Sequence, residues 1–307
     1  MKKTLLLIAT LLASYVGMAQ ETYQPTAENL KAREQFQDEK FGIFLHWGLY
    51  SMMGTTEWIM TNRDINYKEY PKLAKTFYPS EFDADAWIKA IKAAGAKYIT
   101  ITTRHHDGFS LFKTATSTYN SVDGTPFKRD IIKEIADACQ RNGIKLHLYY
   151  SHLDWGREDY PVGRTGTGTG RPKEKANWAS YYKFMNTQLT ELLTNYGKVG
   201  AIWFDGWWDH DSDAKPFDWQ LEEQYALIHK LQPQCLVANN HHHTPFPGED
   251  IQIFERDLPG ENKAGLSGQS IGRLPLESCQ TINEHWGYNI TDTLYKSPKE
   301  LIQMLVR

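Results

Sequence analysis

Short apolar segments recur along the chain and alternate with longer segments of helical character. Each apolar segment combines β-branched and aromatic residues without a helical spacing, which is typical of buried strands in a parallel sheet. Strands are predicted at residues 40–48, 96–106, 144–151, 201–206, 235–240, 250–255 and 276–282. The alternation of strand and helix predicts a domain of the α/β class.

The predicted helices are recognised by the signals at their ends. Three segments, each closed by a glycine, are residues 84–94 before Gly95, 130–142 before Gly143 and about 175–196 before Gly197. Asp83 is a candidate N-cap for the first of them. Near the C-terminus, Ser297 as N-cap, Pro298 in the first turn and Glu300 two residues later predict the start of another helix.

The order of these elements favours a (β/α)8 TIM-like barrel. A doubly wound sheet is the alternative, but no glycine-rich phosphate-binding fingerprint follows the first strand. The glycine-rich sequence at residues 163–170 lies well past the third strand and opens no helix, which predicts a flexible loop. No segment for an eighth strand precedes the end of the sequence, so we expect the barrel to be truncated before its last strand.

Polar side chains gather where the predicted strands end, whereas the middles of the strands are apolar. In a (β/α)8 barrel, catalytic groups lie at the C-terminal ends of the strands. The polar residues near these ends are His46, His105, His106, Tyr149, Asp205, Asn239, Glu255 and Glu277. We therefore expect a functional site on this face of the barrel.

The first twenty residues have the pattern of a cleaved secretory signal peptide. Lys2 and Lys3 precede an apolar run, and small residues around Ala19 close it. No cysteine lies at the cleavage region, which argues against a lipid anchor, and no other segment has the length and apolarity of a membrane span. The sequence predicts export to the periplasm or the extracellular space, with residues 21–307 forming the barrel domain.

Composition narrows the class of function. The 307 residues suit one large domain or two small ones, and 41% of them are hydrophobic. A formal net charge of −3 argues against a polyanionic partner, so no nucleic acid is expected. Cys139, Cys235 and Cys279 are too few and too widely spaced for a disulfide framework or a zinc site. They are expected to be buried free thiols, with one disulfide as the alternative.

Asp205 is the carboxylate that the pattern singles out. It ends an apolar strand between Trp203 and Trp207, where a surface ion pair is poorly placed. The alternative role is a helix N-cap, but the residues that follow begin a helix poorly. A carboxylate here suits the nucleophile of a retaining glycosidase, which needs a second carboxyl group roughly 5–5.5 Å away. The candidates for that group are Glu255, Glu249, Glu277 and Glu57, of which Glu255 ends an apolar strand as Asp205 does.

Two clusters of histidines have other interpretations. His105 and His106 end the second predicted strand, where neutral imidazoles suit contacts to sugar hydroxyls or a polar cap on the barrel. The three histidines within residues 239–245 lack the spacing of a helical metal site and have no nearby acid that completes one. No serine-nucleophile elbow and no nucleotide-binding motif occur. We therefore expect neither a metal nor a cofactor.

Six stretches form a specific combination when they are read in order. They are "KFGIFLHWGLYS" followed by "EW" at Glu57–Trp58, "TTRHHDGFSLF", "DIIKEIADACQRNGIKLHLYYSHLDW", "IWFDGWW", "DIQIFE" and "LESCQTINEHWGYN". This combination resembles the retaining α-L-fucosidases of glycoside hydrolase family 29, from about Lys40 to Tyr288. The resemblance implies a (β/α)8-like catalytic barrel. Family members usually continue into a C-terminal β-sandwich, which this sequence does not include.

The resemblance also implies roles for individual residues. Asp205 matches the nucleophile, Glu255 matches the acid/base, and Glu277 matches a second family glutamate that is the reserve candidate for the acid/base. The implied contacts to fucose are hydroxyl contacts from His46, Glu57, His105, His106 and Tyr149, and an apolar wall for the methyl group from Trp58 and Trp203. One departure lies on the fifth strand, where family members often have an arginine and this chain has Asn240 and His241.

These observations together predict an exo-acting retaining α-L-fucosidase that hydrolyses terminal α-L-fucosyl residues by double displacement. Its partner would be a fucosylated oligosaccharide or glycoconjugate. Two alternatives stay open. One is a non-catalytic fucose-binding remnant of such an enzyme, which the absent eighth strand motivates. The other is a related hydrolase of a galacto-configured sugar, whose hydroxymethyl group needs room and a polar partner where a methyl needs an apolar wall.

Overall fold

Seven parallel strands form the centre of the fold in the part of the chain that the structure describes. The computed structural model describes residues 23–266 and 268–306, and the predicted signal peptide lies outside these residues. The strands are β1 (Gly42–Leu45), β2 (Tyr98–Arg104), β3 (Lys145–Ser151), β4 (Ala201–Asp205), β5 (Leu236–Asn240), β6 (Gln252–Glu255) and β7 (Leu276–Cys279). Each lies within a segment predicted from the sequence, so the predicted strands are confirmed. The observed strands are shorter than the predicted segments.

The strands lie side by side in chain order. β1 to β5 form one sheet, β6 pairs with β7, and a parallel bridge between Ala238 and Ile251 joins the two sheets. Among the described residues, no ladder joins β7 back to β1. Accordingly, β1 is only half-buried along its length, whereas β2 is buried throughout. The sheet therefore has the TIM-like arrangement that the sequence predicts and is open between β7 and β1.

Helices alternate with the strands. They are α1 (Ala27–Glu39), α2 (Ile59–Asn62), α3 (Ala84–Ala93), α4 (Ile131–Asn142), α5 (Trp178–Asn195), α6 (Leu221–Leu231) and α7 (Pro298–Leu305). The predicted end signals are confirmed, because Asp83 and Ser297 cap α3 and α7, and Gly143 ends α4 with a φ of 68°. α5 begins slightly later than predicted, since the Asn177 side chain caps it. No helix in the described part of the chain is long and apolar enough to cross a membrane.

Two apolar clusters pack against opposite faces of the sheet. The larger lies between the sheet and the helices and includes the fully buried Ile99 of β2 and Ile131 of α4. The smaller fills the inside of the curled sheet and includes Tyr98, Tyr149 and Trp203. Adjacent residues of one strand point to opposite faces, which is why neighbours such as Tyr98 and Ile99 belong to different clusters. The inner cluster forms a layer below the C-terminal ends of the strands.

Hydrogen bonds hold the glycine-rich loop at residues 163–170 to distant parts of the chain, which the prediction of a flexible loop did not include. The buried Asp209 carboxylate accepts the Thr165 N–H at 2.8 Å and the Thr165 hydroxyl at 2.6 Å. The Thr61 hydroxyl accepts the Gly166 N–H at 2.9 Å. A Cβ at position 163 would collide with Asp209, so glycine there permits the close approach. The acceptors that hold this loop lie far from it in the chain.

The three cysteines are buried and unpaired, as free thiols were expected to be. Burial raises the pKa of the Cys139 thiol to about 12 and that of Cys235 beyond the usual range. A thiol held in its protonated form is a poor nucleophile. These side chains therefore act as small apolar groups in the core.

Candidate active site

A pocket of about 180 Å³ lies at the C-terminal ends of the strands, inside the curled sheet. Its lining residues are Phe44, His46, Glu57, Trp58, His105, Tyr149, Arg164, Trp203, Asp205, Trp208, Asn240, His242, Glu255, Leu266, Cys279 and Trp286. All of the predicted site residues line it except His106 and Glu277. The fold thus brings together side chains that lie up to 242 positions apart in the sequence.

Asp205 is the last residue of β4, and its carboxylate faces the pocket. Oδ1 accepts hydrogen bonds from the Gly206 N–H at 2.8 Å and the Trp208 indole at 2.9 Å. Oδ2 accepts the Tyr149 hydroxyl at 3.0 Å. The chain turns sharply after the carboxylate, because Gly206 has a φ of 96°, which favours glycine. Asp205 is therefore held in a fixed orientation rather than serving as a helix cap.

The surroundings of Asp205 keep its carboxylate ionised. Burial alone would raise its pKa, but the hydrogen bond and charge of His106 and the Trp208 indole outweigh burial and hold the pKa well below its usual range. The charge of His242 acts in the same direction. An ionised carboxylate that is aimed into a pocket can attack an electrophilic carbon.

Glu255 ends β6 and lies close to Asp205. The Asn240 amide nitrogen lies 2.8 Å from Glu255 Oε2 and 3.4 Å from Asp205 Oδ1. These two contacts place Glu255 Oε2 no more than about 6 Å from Asp205 Oδ1, which is compatible with the roughly 5–5.5 Å between the two carboxyl groups of retaining glycosidases. The two carboxylates therefore face the same part of the pocket, within reach of one bound ligand.

Two histidines of the pocket are uncharged at neutral pH. Burial lowers the pKa of His46 to about 4, although the charges of Glu57 and Asp205 oppose this shift. Burial, together with His106 and His46, lowers the pKa of His105 well below its usual range. Neutral imidazoles both donate and accept hydrogen bonds, which suits them to sugar hydroxyls.

Glu57 enters the pocket from the loop after β1 and is nearly fully buried. Its Oε2 accepts the backbone N–H of Gly287 at 2.8 Å. Nearby, the Ile290 N–H donates to the Gly54 carbonyl at 2.9 Å, and Trp286 stacks on His46 with ring centroids 5.7 Å apart. Residues 284–290, here called the rim segment, therefore cross from the end of β7 to the loop after β1. They close the pocket above the open side of the sheet.

Aromatic side chains line the pocket in two groups. Trp203 packs against Phe44 and Tyr149 with ring centroids 5.1 Å and 5.6 Å away, and these three form the floor. Trp58 stacks on Trp208 at 5.5 Å with nearly parallel rings, and these two form a side wall. The two predicted tryptophans therefore belong to separate apolar surfaces. Such surfaces suit the apolar faces and methyl group of a deoxy sugar.

His106 and Glu277 lie behind the pocket surface. The His106 ring contacts Asp205 Oδ2 at 3.4 Å and Ser151 Oγ at 2.7 Å, so His106 acts on the pocket through Asp205. Glu277 lies near the start of β7, one layer below Cys279. Burial raises the pKa of Glu277 to about 7, and the Trp203 indole opposes part of this shift. Glu277 is thus near the floor but does not line the pocket.

Several pocket residues were not predicted as site residues from the sequence. They are Phe44, Arg164, Trp208, Asn240, His242, Leu266, Cys279 and Trp286. Trp208 follows the strand-end carboxylate by only three positions, which is a signal that could have indicated it. Arg164 and Trp286 come from distant loops, and no local pattern points to them.

Asn239 was predicted as the polar residue at the pocket end of β5, and this prediction was wrong by one position. Asn239 points away from the pocket and donates to the Tyr225 hydroxyl at 2.7 Å. Asn240 faces the pocket instead, because consecutive strand residues alternate between the two faces. His241 is also turned away and contacts the buried Glu249 at 3.0 Å. Within residues 23–266 and 268–306, no group of His, Cys, Asp and Glu side chains is arranged to hold a metal ion.

Comparison with family models finds one match, described as alpha-L-fucosidase, over residues 10–307. Among curated proteins, a putative α-L-fucosidase of Caenorhabditis elegans is 30% identical over 95% of this chain and 62% of its own length. The plasma α-L-fucosidase of Rattus norvegicus is 32% identical over 98% of this chain and 67% of its own length. This chain therefore spans about two thirds of the length of these relatives.

Solved structures show the same similarity. α-L-Fucosidase isoenzyme 1 from Paenibacillus thiaminolyticus has a TM-score of 0.76 and 37% identity, covering 90% of this chain and 67% of that one. An α-L-fucosidase from Lactobacillus casei, solved in complex with its α-L-fucose product, has a TM-score of 0.75 and 29% identity, covering 90% of this chain and 87% of that one. The similarity thus extends over nearly all of the described fold.

Proposed function

Because the chain belongs to the α-L-fucosidase family of glycoside hydrolases, we propose that it hydrolyses terminal α-L-fucosyl residues of glycans with retention of configuration. The observation that supports this most directly is the Asn240 amide, which contacts both Asp205 and Glu255. This shared contact supports a nucleophile and an acid/base that lie close enough for double displacement. The fucose product bound in the Lactobacillus casei enzyme indicates the sugar for which such a pocket is built.

In the first step, an oxygen of Asp205 forms a bond to the anomeric carbon of fucose while the bond from that carbon to the aglycone oxygen breaks. Glu255 gives its proton to the departing oxygen and becomes a carboxylate. The product is a fucosyl ester of Asp205 with inverted configuration. The hydrogen bonds from Tyr149, Trp208 and Gly206 stabilise Asp205 as an anion before attack and orient it.

In the second step, water attacks the same carbon and displaces Asp205. Glu255 takes a proton from this water and thereby regains the proton that it lost in the first step. Two inversions give net retention, and both carboxyl groups return to their starting states. Since the two steps use the same residue as acid and then as base, Glu255 must alternate between protonated and ionised forms.

The other pocket residues would bind the sugar. The neutral His46 and His105, with Glu57, present donors and acceptors for fucose hydroxyls, and His106 supports Asp205 from behind. The floor of Phe44, Tyr149 and Trp203 is mostly aromatic carbon, and its polar atoms are the Tyr149 hydroxyl, which donates to Asp205, and the buried Trp203 indole N–H. This favours a methyl-bearing sugar over a galacto-configured one.

We also propose that residues 1–20 direct export and are removed, so that the enzyme acts on glycans in the periplasm or outside the cell. The lysines and apolar run of this segment support the proposal. Sequencing the N-terminus of the protein recovered from the exported fraction tests it. A retained residue 1, or protein found only in the cytoplasm, would contradict it.

The proposed activity is tested by following hydrolysis of an aryl α-L-fucoside by proton NMR. We expect α-L-fucose to form first and its β-anomer to accumulate only later by mutarotation. Asp205→Asn, compared on folded protein, should lose at least about a thousandfold in kcat. Folded protein that binds fucose without turnover would indicate a binding remnant, and equal competition by galactose would indicate a broader sugar specificity.

A further inference from the structure

His242 lies on the loop after β5, and its imidazole contacts Glu255. Nε2 of His242 is 2.9 Å from Oε2 of Glu255, and both side chains are 16% exposed. The backbone of His242 has a φ of 66°, in the left-handed region that few residues other than glycine adopt.

The two oxygens of Glu255 have different environments. Oε2 accepts a hydrogen bond from the Asn240 amide nitrogen at 2.8 Å, in addition to its contact with His242. An amide nitrogen can only donate, so Oε2 is an acceptor in this contact. Among the described residues, Oε1 has no hydrogen-bond partner. The carboxyl group is therefore held by one oxygen and free at the other.

We propose that His242 is a positioning residue for Glu255, which fixes Oε2 through an Nε2–H donor and so leaves Oε1 as the oxygen that transfers the proton. This inference rests on the proposed role of Glu255 as acid/base. When Glu255 protonates the leaving group, Oε2 gains negative charge, and the His242 hydrogen bond becomes charge-assisted and stronger. The bond thus stabilises Glu255 most in the state that it enters as the leaving group departs.

Other charged and titratable groups surround this pair. Those that interact electrostatically with Glu255 or His242 are Asp205, His46, Tyr149, Cys279 and His243. Of these, only Asp205 is an anion close to the pair within the pocket, and the Asn240 amide lies between it and Glu255. The group whose removal changes Glu255 most directly is therefore His242.

Two variants of His242 separate positioning from mere packing. His242→Phe keeps a ring but removes the donor to Glu255. Because a lost donor disfavours the Glu255 carboxylate, we expect the alkaline limb of the pH profile of kcat/KM to move upward by about one pH unit. His242→Gln keeps a donor at a similar reach and should leave this limb near that of the wild type. His243→Phe is the matched control, because His243 is exposed and does not line the pocket. A limb that stays in place in His242→Phe would overturn the proposal.

Leaving-group dependence distinguishes this inference from the proposed function. We expect His242→Phe to lower the rate of the first step about tenfold for a phenyl fucoside and hardly at all for a dinitrophenyl fucoside. In a protein that already carries Glu255→Gln, His242→Phe should have no further effect on this rate. Glu255→Gln alone could show leaving-group dependence while His242→Phe still lowers the rate in the variant that carries both substitutions. In that case only the inference fails. If Glu255→Gln shows no such dependence, the acid/base assignment fails and this inference fails with it.

A measurement without turnover checks the donor directly. Long-range proton–nitrogen NMR correlations report which of the two ring nitrogens of His242 carry a hydrogen. We expect the hydrogen on Nε2, with a signal that changes in Glu255→Gln and is unaffected in His243→Phe. A hydrogen on Nδ1 alone would mean that Nε2 accepts from Glu255, and the proposal would be wrong.

Discussion

The Glu57 carboxylate accepts a hydrogen bond of 2.8 Å from the backbone N–H of Gly287, which lies 230 positions later in the chain. This contact joins the loop after β1 to the rim segment across the open side of the sheet. The pocket is therefore closed at its rim although no ladder pairs β7 with β1 among the described residues. Together with the bond from the Ile290 N–H to the Gly54 carbonyl, this contact fixes Glu57 relative to Trp286 in the pocket.

A larger side chain at Gly287 should disturb sugar binding before it disturbs folding. A Cβ at this position would lie 3.0 Å from Glu57 Oε2 and 3.2 Å from Glu57 Cβ, so the two segments must move apart. We expect Gly287→Val to raise KM for an aryl α-L-fucoside about tenfold with a smaller change in kcat. Gly268→Val is the control, since a Cβ at position 268 would make only an ordinary contact, 3.8 Å from the Asn262 amide nitrogen. Equal KM values in the two variants would show that the rim segment does not shape the pocket.

The indole of Trp208 should matter for its hydrogen bond to Asp205 more than for its area. Trp208→Phe keeps an aromatic ring against Trp58 but removes the 2.9 Å donor to Oδ1. A hydrogen bond to a charged group contributes about 1.5–3 kcal/mol, so kcat/KM should fall roughly tenfold to a hundredfold. Trp207→Phe is the matched control, because its ring packs on His243 and Phe246 outside the pocket. Similar losses in both variants would contradict this role.

Glu277 should make the stability of the protein depend on pH. Its pKa of about 7 in the folded state lies above the value of an exposed glutamate, and Oε2 has no hydrogen-bond partner among the described residues. The folded state therefore keeps a proton that the unfolded state releases, and stability falls as pH rises from about 4.5 to 7.

We therefore expect Glu277→Gln to match the wild type in free energy of unfolding near pH 4.5 and to exceed it by up to about 3 kcal/mol at pH 8. Urea unfolding at a series of pH values measures this difference. The exposed Glu174→Gln should show none. If Glu277→Gln instead removed the leaving-group dependence expected of the acid/base, the roles of Glu277 and Glu255 would have to be exchanged.

Asp209 should hold the glycine-rich loop against the turn that follows Asp205. Its carboxylate accepts the Tyr160 hydroxyl at 2.9 Å as well as both donors of Thr165, and Asp209→Ala leaves these groups without an acceptor. Each buried donor left unpaired costs about 1–3 kcal/mol. We expect faster cleavage within residues 163–170 in limited proteolysis of Asp209→Ala. The exposed Asp213→Ala should be cleaved like the wild type, and an unchanged pattern in both would show that other contacts fix the loop.

The local sequence pattern was sufficient to predict the strands, most of the helix caps and most of the polar residues at the strand ends. Asp205 and Glu255 were predicted because a carboxylate after an apolar run is conspicuous, and the geometry of parallel strands brings such ends together. Asn240 was missed in favour of Asn239, because a shift of one residue exchanges the two faces of a strand and the exact end of β5 is not visible in the sequence.

Contacts between distant loops could not be predicted from the sequence. The Gly287 N–H on Glu57, the Thr165 groups on Asp209 and the His242 ring on Glu255 each join segments whose neighbourhood depends on the whole fold. Glycine-rich composition suggested mobility at residues 163–170, but the same glycines permit close packing when a buried acceptor is present. Composition alone does not distinguish these two outcomes.

The central claim is that Asp205 forms a covalent bond to fucose during turnover. Incubation with a fluorinated fucosyl fluoride, which slows the second step, followed by peptide mass spectrometry would locate the trapped sugar. We expect the label on the peptide that contains Asp205, at that residue, and its absence from Asp205→Asn. A label on another carboxylate, or turnover of fucosides with a folded protein that never traps the sugar, would contradict this account.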